Sequence, residues 1–386
     1  MWNKPWKMIE GAAIGGGLLI VGVLLQLTIG PLDWSLLAFP LNVILLAFLL
    51  LVLGVCYAVR KHFYIIRWSM TLMAAIPALV CCLLVTLVMG LTGWDAMLSS
   101  WPFVLVYLWL MFLLGLTTLH HIFQRPSLRQ FTFLCNHLGL FLALVCGVLG
   151  YADMQKLHMT TRVGTPEWRA IDVINQNRIK ELPLAIELHS FTIDEYAPTY
   201  KVIDNETGVM IQKSEWVIRQ DSLLDYAAIV YGATDSLGHQ DDNRYVEWRS
   251  MGACTAAYIT ATNGEKSVSG WVSCGSFMFP YKALRLDDNC SVVMPDREPQ
   301  RYVSEVTVYT DDEQKQDAVI EVNHPLEING WKIYQLSYDE SLGRWSDTSV
   351  FELVRDPWLP WVYAGIFLML AGALGLFLIP KNNRKK

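Results

Sequence analysis

Six apolar runs, each about 20 residues long, set the strongest limit on what this chain can fold into. They cover residues 11–30, 36–58, 70–91, 101–119, 131–150 and 358–380, approximately. At about 1.5 Å of rise per residue, a helix of this length crosses the ~30 Å hydrocarbon layer of a bilayer. The composition agrees, because only 17% of the residues are charged, whereas an average soluble protein has about 25%. The pattern predicts a membrane protein with a polytopic α-helical bundle of about six spans.

The long segment between the fifth and sixth runs predicts a β-rich domain. Alternating β-branched and aromatic residues recur in it, as in AIELHSFTIDEY at 185–196 and WKIYQLSYDE at 331–340. Asn-Gly pairs at 263–264 and 329–330 are typical of hairpin turns. We therefore expect an antiparallel sandwich or barrel-like sheet inserted before the last span. The predicted domains are five transmembrane helices, the β-rich domain, and a final transmembrane helix with a basic tail: 1–150, 151–357 and 358–386.

Charge divides the chain into two different regions. Residues 151–357 hold 19 Lys and Arg against 33 Asp and Glu, and the remainder of the chain holds 11 against 3. Such an acidic domain argues against nucleic acid as a partner.

Lys and Arg residues in the apolar part occur only in alternate connections and in the two tails. They include Lys4, Lys7, Arg60, Lys61, Arg67, Arg125, Arg129, Lys381, Arg384, Lys385 and Lys386. Positive connections stay on the cytoplasmic side of a membrane. We therefore expect a multi-pass protein of the bacterial cytoplasmic (inner) membrane, with both termini cytoplasmic and the large domain extracytoplasmic, in the periplasm.

Several catalytic motifs are absent from the sequence. It has no Walker A motif, no His-Glu-x-x-His zinc site, no Gly-x-Ser-x-Gly elbow and no Cys-x-x-Cys-His haem-attachment motif. Cys254 and Cys274 flank the Asn-Gly turn at 263–264, so a cross-hairpin disulfide between them is a candidate, with Cys290 left over. No Cys-x-x-Cys pair is present, which disfavours a thioredoxin-type dithiol role.

Histidines remain as the candidate functional residues. His137 lies about 9 Å into the fifth run, and an ionisable side chain within a span is a functional hypothesis by default. His120 and His121 end the fourth run, so a short connection brings the three imidazoles within reach of one another. Neutral imidazole is a good axial ligand for haem iron. For each of these histidines an interpretation without a cofactor stays open. His120 and His121 would then be ordinary interfacial residues, and His137 would hydrogen-bond to a neighbouring helix.

A series of motifs follows in order from about residue 130 to residue 380. They are Asn136-His137-Leu138-Gly139-Leu140, then Gly147 and Gly150, MTTRVGTPEW at 159–168, LPLAIELHSFTIDEY at 182–196, NGWKIYQLSYDE at 329–340, and SVFELVRDPWLPWVYAGIFLMLAGALGLF at 349–377. In this order and spacing they resemble the ResB/CcsB family of cytochrome c biogenesis proteins.

The resemblance implies a haem-handling or scaffold subunit of a system II cytochrome c synthase complex, non-catalytic or co-catalytic as a haem lyase component. Such a subunit works with a CcsA/ResC-like membrane protein that carries a Trp-rich haem-handling motif. Together they move haem (b-type in transit) from the cytoplasmic side and attach it to apocytochrome c outside. The axial-ligand role carries over only to His137, while His120 and His121 are weaker candidates from their position. A separate thiol-reducing protein is implied as well.

Two departures from the family pattern leave a competing interpretation open. The chain has five spans before the large domain where the family pattern has about three, and it lacks the Trp-rich motif of the partner. The alternative is a non-haem membrane scaffold or sensor, whose outside domain binds a protein or small ligand and whose histidines are structural. A transporter for another cargo is a third interpretation.

Overall fold

The computed structural model describes residue 2 and residues 4–93, 98–174, 178–231 and 244–378. The chain divides into two compact units. The helical unit comprises Met1–Gln155 with Arg355–Lys386, and the strand unit comprises Lys156–Val354. The predicted basic tail from Lys381 onward lies outside the described residues.

Apolar helices build the helical unit. Its α-helices are α1 (Met8–Ile29), α2 (Leu41–Val59), α3 (Tyr64–Ser69), α4 (Leu72–Thr92), α5 (Trp101–Ile122), α6 (Leu128–Gly150) and α7 (Leu359–Leu378). Within the described ranges, six of these, all except α3, are long and apolar enough to cross a membrane. The prediction is confirmed for the number of helices with the length and apolar composition of a membrane span.

Two helices begin at other residues than predicted, and the local structure just before each of them explains the difference. The α2 helix begins at Leu41 rather than at 36, because Trp34–Leu37 forms a 3-10 turn. The α6 helix begins at Leu128 rather than at 131, because the Ser127 hydroxyl oxygen accepts a 3.1 Å hydrogen bond from the Gln130 N–H. His137 therefore lies about 14 Å along α6 from its first residue, further than the sequence predicted.

The helix connections gather at two ends of the helical unit. At one end, the Leu32 N–H donates to the Ser99 carbonyl oxygen over 2.8 Å, which joins the α1–α2 and α4–α5 connections. At the other end, the Tyr57 and Phe123 rings stack with centroids 5.3 Å apart, near the ends of α2 and α5. Connections without Lys or Arg thus lie at one end and basic connections at the other. Which end faces the cytoplasm stays a prediction.

Antiparallel β-structure builds the strand unit. The described strands are β1 (Gln155–Arg162), β2 (Glu167–Asp172), β3 (Arg178–Glu195), β4 (Lys201–Asp204), β5 (Val217–Val230), β6 (Arg244–Glu247), β7 (Cys254–Thr262), β8 (Ser267–Gly275), β9 (Leu284–Arg285), β10 (Cys290–Val293), β11 (Pro299–Thr310), β12 (Lys315–Glu321), β13 (Leu326–Ile328), β14 (Trp331–Tyr338) and β15 (Thr348–Arg355). The largest sheet has eight strands in the order β12-β11-β3-β2-β1-β15-β14-β13. Its edge strands β12 and β13 contact each other, so the sheet curls into a barrel-like form. The predicted barrel-like β-structure is confirmed.

Two smaller sheets complete the strand unit. One has the order β4-β10-β9 and the other β6-β5-β7-β8. The predicted turns are present: Asn329 and Gly330, both with positive φ, join β13 to β14, and residues 263–266 join β7 to β8. Alternating side chains such as Ile186 and Leu188 are fully buried inside the large sheet.

Candidate functional site

Asn136 and His137 are adjacent in α6, but their side chains form hydrogen bonds with different partners. The Asn136 side-chain amide donates to the Met369 carbonyl oxygen of α7 over 3.1 Å. The His137 Nδ1 lies 3.0 Å from the carbonyl oxygen of Phe133, one helical turn earlier. Because a carbonyl oxygen can only accept, Nδ1 carries the proton and Nε2 keeps its lone pair. A metal-binding histidine needs this state, and a backbone carbonyl commonly fixes it.

Three histidines and one phenylalanine form what we call the histidine cluster: His120 and His121 at the end of α5, and Phe133 and His137 on α6. The Phe133 ring lies between two imidazoles, with centroid distances of 4.2 Å to His121 and 3.8 Å to His137. The His120 and His121 rings are 5.6 Å apart. The structure thus brings together all three histidines that the sequence singled out.

Hydrogen bonds distinguish the other two histidines from His137. The Gln130 side-chain amide donates to His121 Nδ1 over 2.7 Å, so the ring proton of neutral His121 is on Nε2. The Gln124 amide nitrogen lies 3.0 Å from His120 Nε2, and His120 Nδ1 is buried with no partner among the described residues. Of the three imidazoles, His137 is the one whose contacts leave Nε2 available to a metal.

The histidine cluster fits haem iron better than a free metal ion. Within the described residues, no group of three or more His, Cys, Asp or Glu side chains is placed to hold a metal ion. Haem iron already has four porphyrin nitrogens and needs only one or two protein ligands. Because the Phe133 ring fills the space between His121 and His137, these two imidazoles do not face each other across a gap for a porphyrin. The two imidazoles therefore do not form a facing pair of ligands, and the axial-ligand role of His137 stays a prediction.

Close backbone contact between α6 and α7 positions the cluster. A Cβ atom added at Gly139 would lie 2.3 Å from the Met369 backbone nitrogen, and one at Gly372 would lie 2.3 Å from the Asn136 nitrogen. Such contacts need glycine, as is common between membrane helices. They hold Asn136 against α7, whereas the neighbouring His137 stacks on Phe133.

The cysteines of the strand unit are thiols in this structure. Cys254 and Cys274 lie on paired strands, but Thr255 faces Gly275, so the two cysteines are diagonal to each other. Burial raises the pKa of both thiols, which keeps the reactive thiolate scarce at neutral pH. The Cys254–Cys274 disulfide stays a prediction.

Two residues of the site were not singled out from the sequence. Phe133 and Gln130 lie four and seven residues before His137, at spacings that place side chains on one face of a helix. This helical spacing was the available signal. In the sequence, however, Phe133 does not differ from the other apolar residues of the span, and Gln130 precedes the predicted apolar run at 131–150.

Part of the strand unit matches a known protein family. The ResB-like family model matches residues 260–346, which form much of the strand unit and include the NGWKIYQLSYDE motif. His137 lies outside the matched residues. A search of curated proteins returned no match to the sequence. The resemblance seen in the sequence is thus confirmed: over residues 260–346 this chain matches the ResB-like family, which is associated with cytochrome c biogenesis.

Proposed function

We propose that this chain is a haem-handling subunit of a system II cytochrome c synthase complex, in which His137 binds haem iron as an axial ligand. One observation carries the proposal. The His137 Nδ1–H is held by the Phe133 carbonyl oxygen, which leaves Nε2 free for iron. Haem is the cargo of this site, a b-type haem in transit.

The surroundings of the histidine cluster suit haem arriving from the cytoplasm. The Arg60 guanidinium lies 3.7 Å over the Tyr57 ring, whose centroid is 6.4 Å from that of His120. A positive charge here attracts the negative propionate groups of haem. The basic connections lie at this end of the helical unit, and the positive-inside rule makes it the cytoplasmic end.

The chain supplies only part of the machinery that the proposal requires. A CcsA/ResC-like partner provides the second axial ligand and the Trp-rich haem-handling motif. The strand unit, on the extracytoplasmic side, braces this partner or presents apocytochrome c. The Cys254 thiol is buried and the Cys274 thiol is half-buried, and both have a raised pKa, so they do not suit the reduction of the apocytochrome cysteines and a separate thiol-reducing protein does this.

Maturation of c-type cytochromes in cells tests the proposal. We expect His137→Ala to reduce covalent haem in c-type cytochromes at least tenfold, because the alanine methyl group cannot bind iron. Haem staining of membrane proteins measures this, with immunoblotting to show that the variant accumulates normally. His62→Ala removes an exposed imidazole from the α2–α3 connection and should leave maturation unchanged. Normal maturation in His137→Ala cells would exclude the proposed role.

The competing function is a non-haem scaffold or sensor. It is favoured by the fact that each imidazole of the histidine cluster already has a hydrogen-bond contact within the protein. Under that interpretation, His137→Ala would alter stability and leave haem attachment intact. The maturation assay therefore separates the two functions directly.

A further inference from the structure

A cavity of about 240 Å³ lies on the strand unit, far along the chain from the histidine cluster. Twelve of its fifteen lining residues fall within residues 260–346, the segment that matches the ResB-like family. The turn after β8 forms one wall and the loop before β15 forms another. The lining of this cavity thus comes mainly from the matched segment.

Two arginines form a fixed floor for the cavity. The Arg297 and Arg344 side chains are only 12% and 14% exposed, and both guanidinium groups lie 3.5 Å from the Glu195 carboxylate. Arg297 also pairs with Asp225 over 2.7 Å, and Arg344 donates to the Ala253 carbonyl oxygen over 3.2 Å. Carboxylate groups of the protein therefore balance both positive charges. The two arginine side chains are held in place and do not require a bound anion.

The rim of the cavity carries uncompensated negative charge. Asp296 and Glu340 line the cavity, are exposed, and have no ion pair or side-chain hydrogen bond among the described residues. They lie on a region with a large excess of Asp and Glu. The rim therefore favours a cationic group.

Exposed apolar side chains lie on the turn after β8, and one of them, Phe277, lines the cavity. Phe277, Met278 and Tyr281 are each more than half exposed. The turn that carries them is well fixed, because the Ser276 hydroxyl oxygen accepts the Met278 N–H over 3.1 Å and its O–H donates to the Gly252 carbonyl oxygen over 2.5 Å. Apolar groups held exposed on a rigid turn are typical of an interaction site.

A buried tryptophan N–H group adds a specific requirement for a hydrogen-bond acceptor in the ligand. Trp345 lines the cavity, and its Nε1–H is buried without a hydrogen-bond partner in the described part of the chain. Buried donors are nearly always paired in folded proteins, so an acceptor from a ligand would satisfy it. A peptide carbonyl oxygen is such an acceptor.

We propose that this cavity and its rim bind an extended peptide segment that carries a basic side chain next to an apolar one. The basic group contacts Asp296 and Glu340, the apolar group packs on Phe277, and a backbone carbonyl accepts from Trp345 Nε1. This activity is independent of haem binding at His137, so the two proposals fail or succeed separately.

Fluorescence anisotropy with the full-length, haem-free protein in detergent tests the proposal. The probe is a fluorescein-labelled, end-blocked hexapeptide of alternating lysine and leucine, with binding to empty micelles subtracted. We expect the probe to bind, and the Asp296→Asn, Glu340→Gln double variant to bind it about tenfold more weakly, since two partly exposed ion pairs are lost. Trp345→Phe keeps an aromatic ring, although a smaller one, and loses the N–H donor, so it should weaken binding about threefold.

Matched controls make the outcome decisive. Glu265→Gln removes an exposed carboxylate from the β7–β8 turn and should leave binding unchanged. A peptide with glutamate in place of lysine should not bind, and one with serine in place of leucine should bind more weakly. Absence of binding by the lysine peptide, equal binding of the glutamate peptide, or full affinity of a correctly folded double variant would overturn the proposal.

Discussion

His137 and Asn136 show how neighbouring residues of one helix take separate roles. Successive side chains of an α-helix point about 100° apart, so Asn136 meets α7 while His137 stacks on Phe133. Hydrogen bonding then decides which histidine can serve as a ligand. His121 and His120 each have a ring nitrogen contacted by a glutamine, whereas the His137 contact leaves Nε2 free.

The carboxyl group of Asp287, in the strand unit, leads to a prediction about how the stability of the fold depends on pH. The N–H of Asn289, together with Cys290, lowers the pKa of its carboxyl below the ordinary 3.8. A carboxyl with a lowered folded-state pKa stabilises the fold above its unfolded pKa, and this contribution is lost as pH falls through the folded value. We expect the apparent melting temperature to fall less between pH of about 5 and about 2 in Asp287→Asn than in the wild type.

Thermal melts followed by circular dichroism measure this difference. Asp288→Asn is the matched control, because the neighbouring Asp288 side chain is 98% exposed. It should retain the acid sensitivity of the wild type. Equal acid sensitivity of Asp287→Asn and the wild type would contradict the assigned role of Asp287.

At the scale of elements, α6 and α7 pack so closely that their glycines lie directly against the backbone of the other helix. Gly139 of α6 and Gly372 of α7 both lie against backbone atoms of the other helix. In a membrane, such close approach stabilises helix pairs through packing and short polar contacts rather than through the hydrophobic effect. This pair therefore holds Asn136, and with it the direction of His137.

Substitution of two glycines on α6 tests this contact. Gly139→Ala places a methyl group 2.3 Å from the Met369 nitrogen, so we expect a loss of stability of about 1–3 kcal/mol or more. Gly147→Ala is the control, because its methyl group would meet nothing within 4 Å and alanine favours the helix by about 1 kcal/mol. Thermal unfolding in detergent should rank Gly147→Ala at or above the wild type and Gly139→Ala well below it. The reverse ranking would show that the two helices do not meet at Gly139.

The elements themselves were largely predictable from the sequence. Long apolar runs and Asn-Gly turns are local signals, and they located the spanning helices and the β13–β14 hairpin. The site was only partly predictable. The approach of α5 to α6 followed from their short connection, but the Phe133 ring between two imidazoles depends on rotamers and packing. The cavity with Arg297 and Arg344 was not predicted, because it joins segments that are distant in sequence.

At the scale of the whole molecule, charge and hydropathy divide the chain in the same way as its contacts do. The helical unit carries the apolar spans and basic connections, and the strand unit carries most of the acidic residues. Negative charge does not fix topology, but basic connections do. The same asymmetry therefore predicts that the strand unit is extracytoplasmic.

Protease accessibility tests this orientation. Trypsin added outside spheroplasts should cleave the strand unit, where side chains such as Arg219 and Arg249 are 76% and 77% exposed. In inverted membrane vesicles, the strand unit should be protected until detergent is added. Immunoblotting of a C-terminal tag, which should be protected in spheroplasts, provides the internal control. Cleavage of the strand unit only in inverted vesicles would show that the orientation is wrong.

The Soret absorbance of the purified complex with its CcsA/ResC-like partner tests the central claim most directly. We expect a Soret band in the wild-type complex, its loss in His137→Ala, and its return when free imidazole replaces the missing ligand. His189→Ala, in the strand unit, should keep the band. An undiminished Soret band in a His137→Ala complex of normal composition would contradict the account.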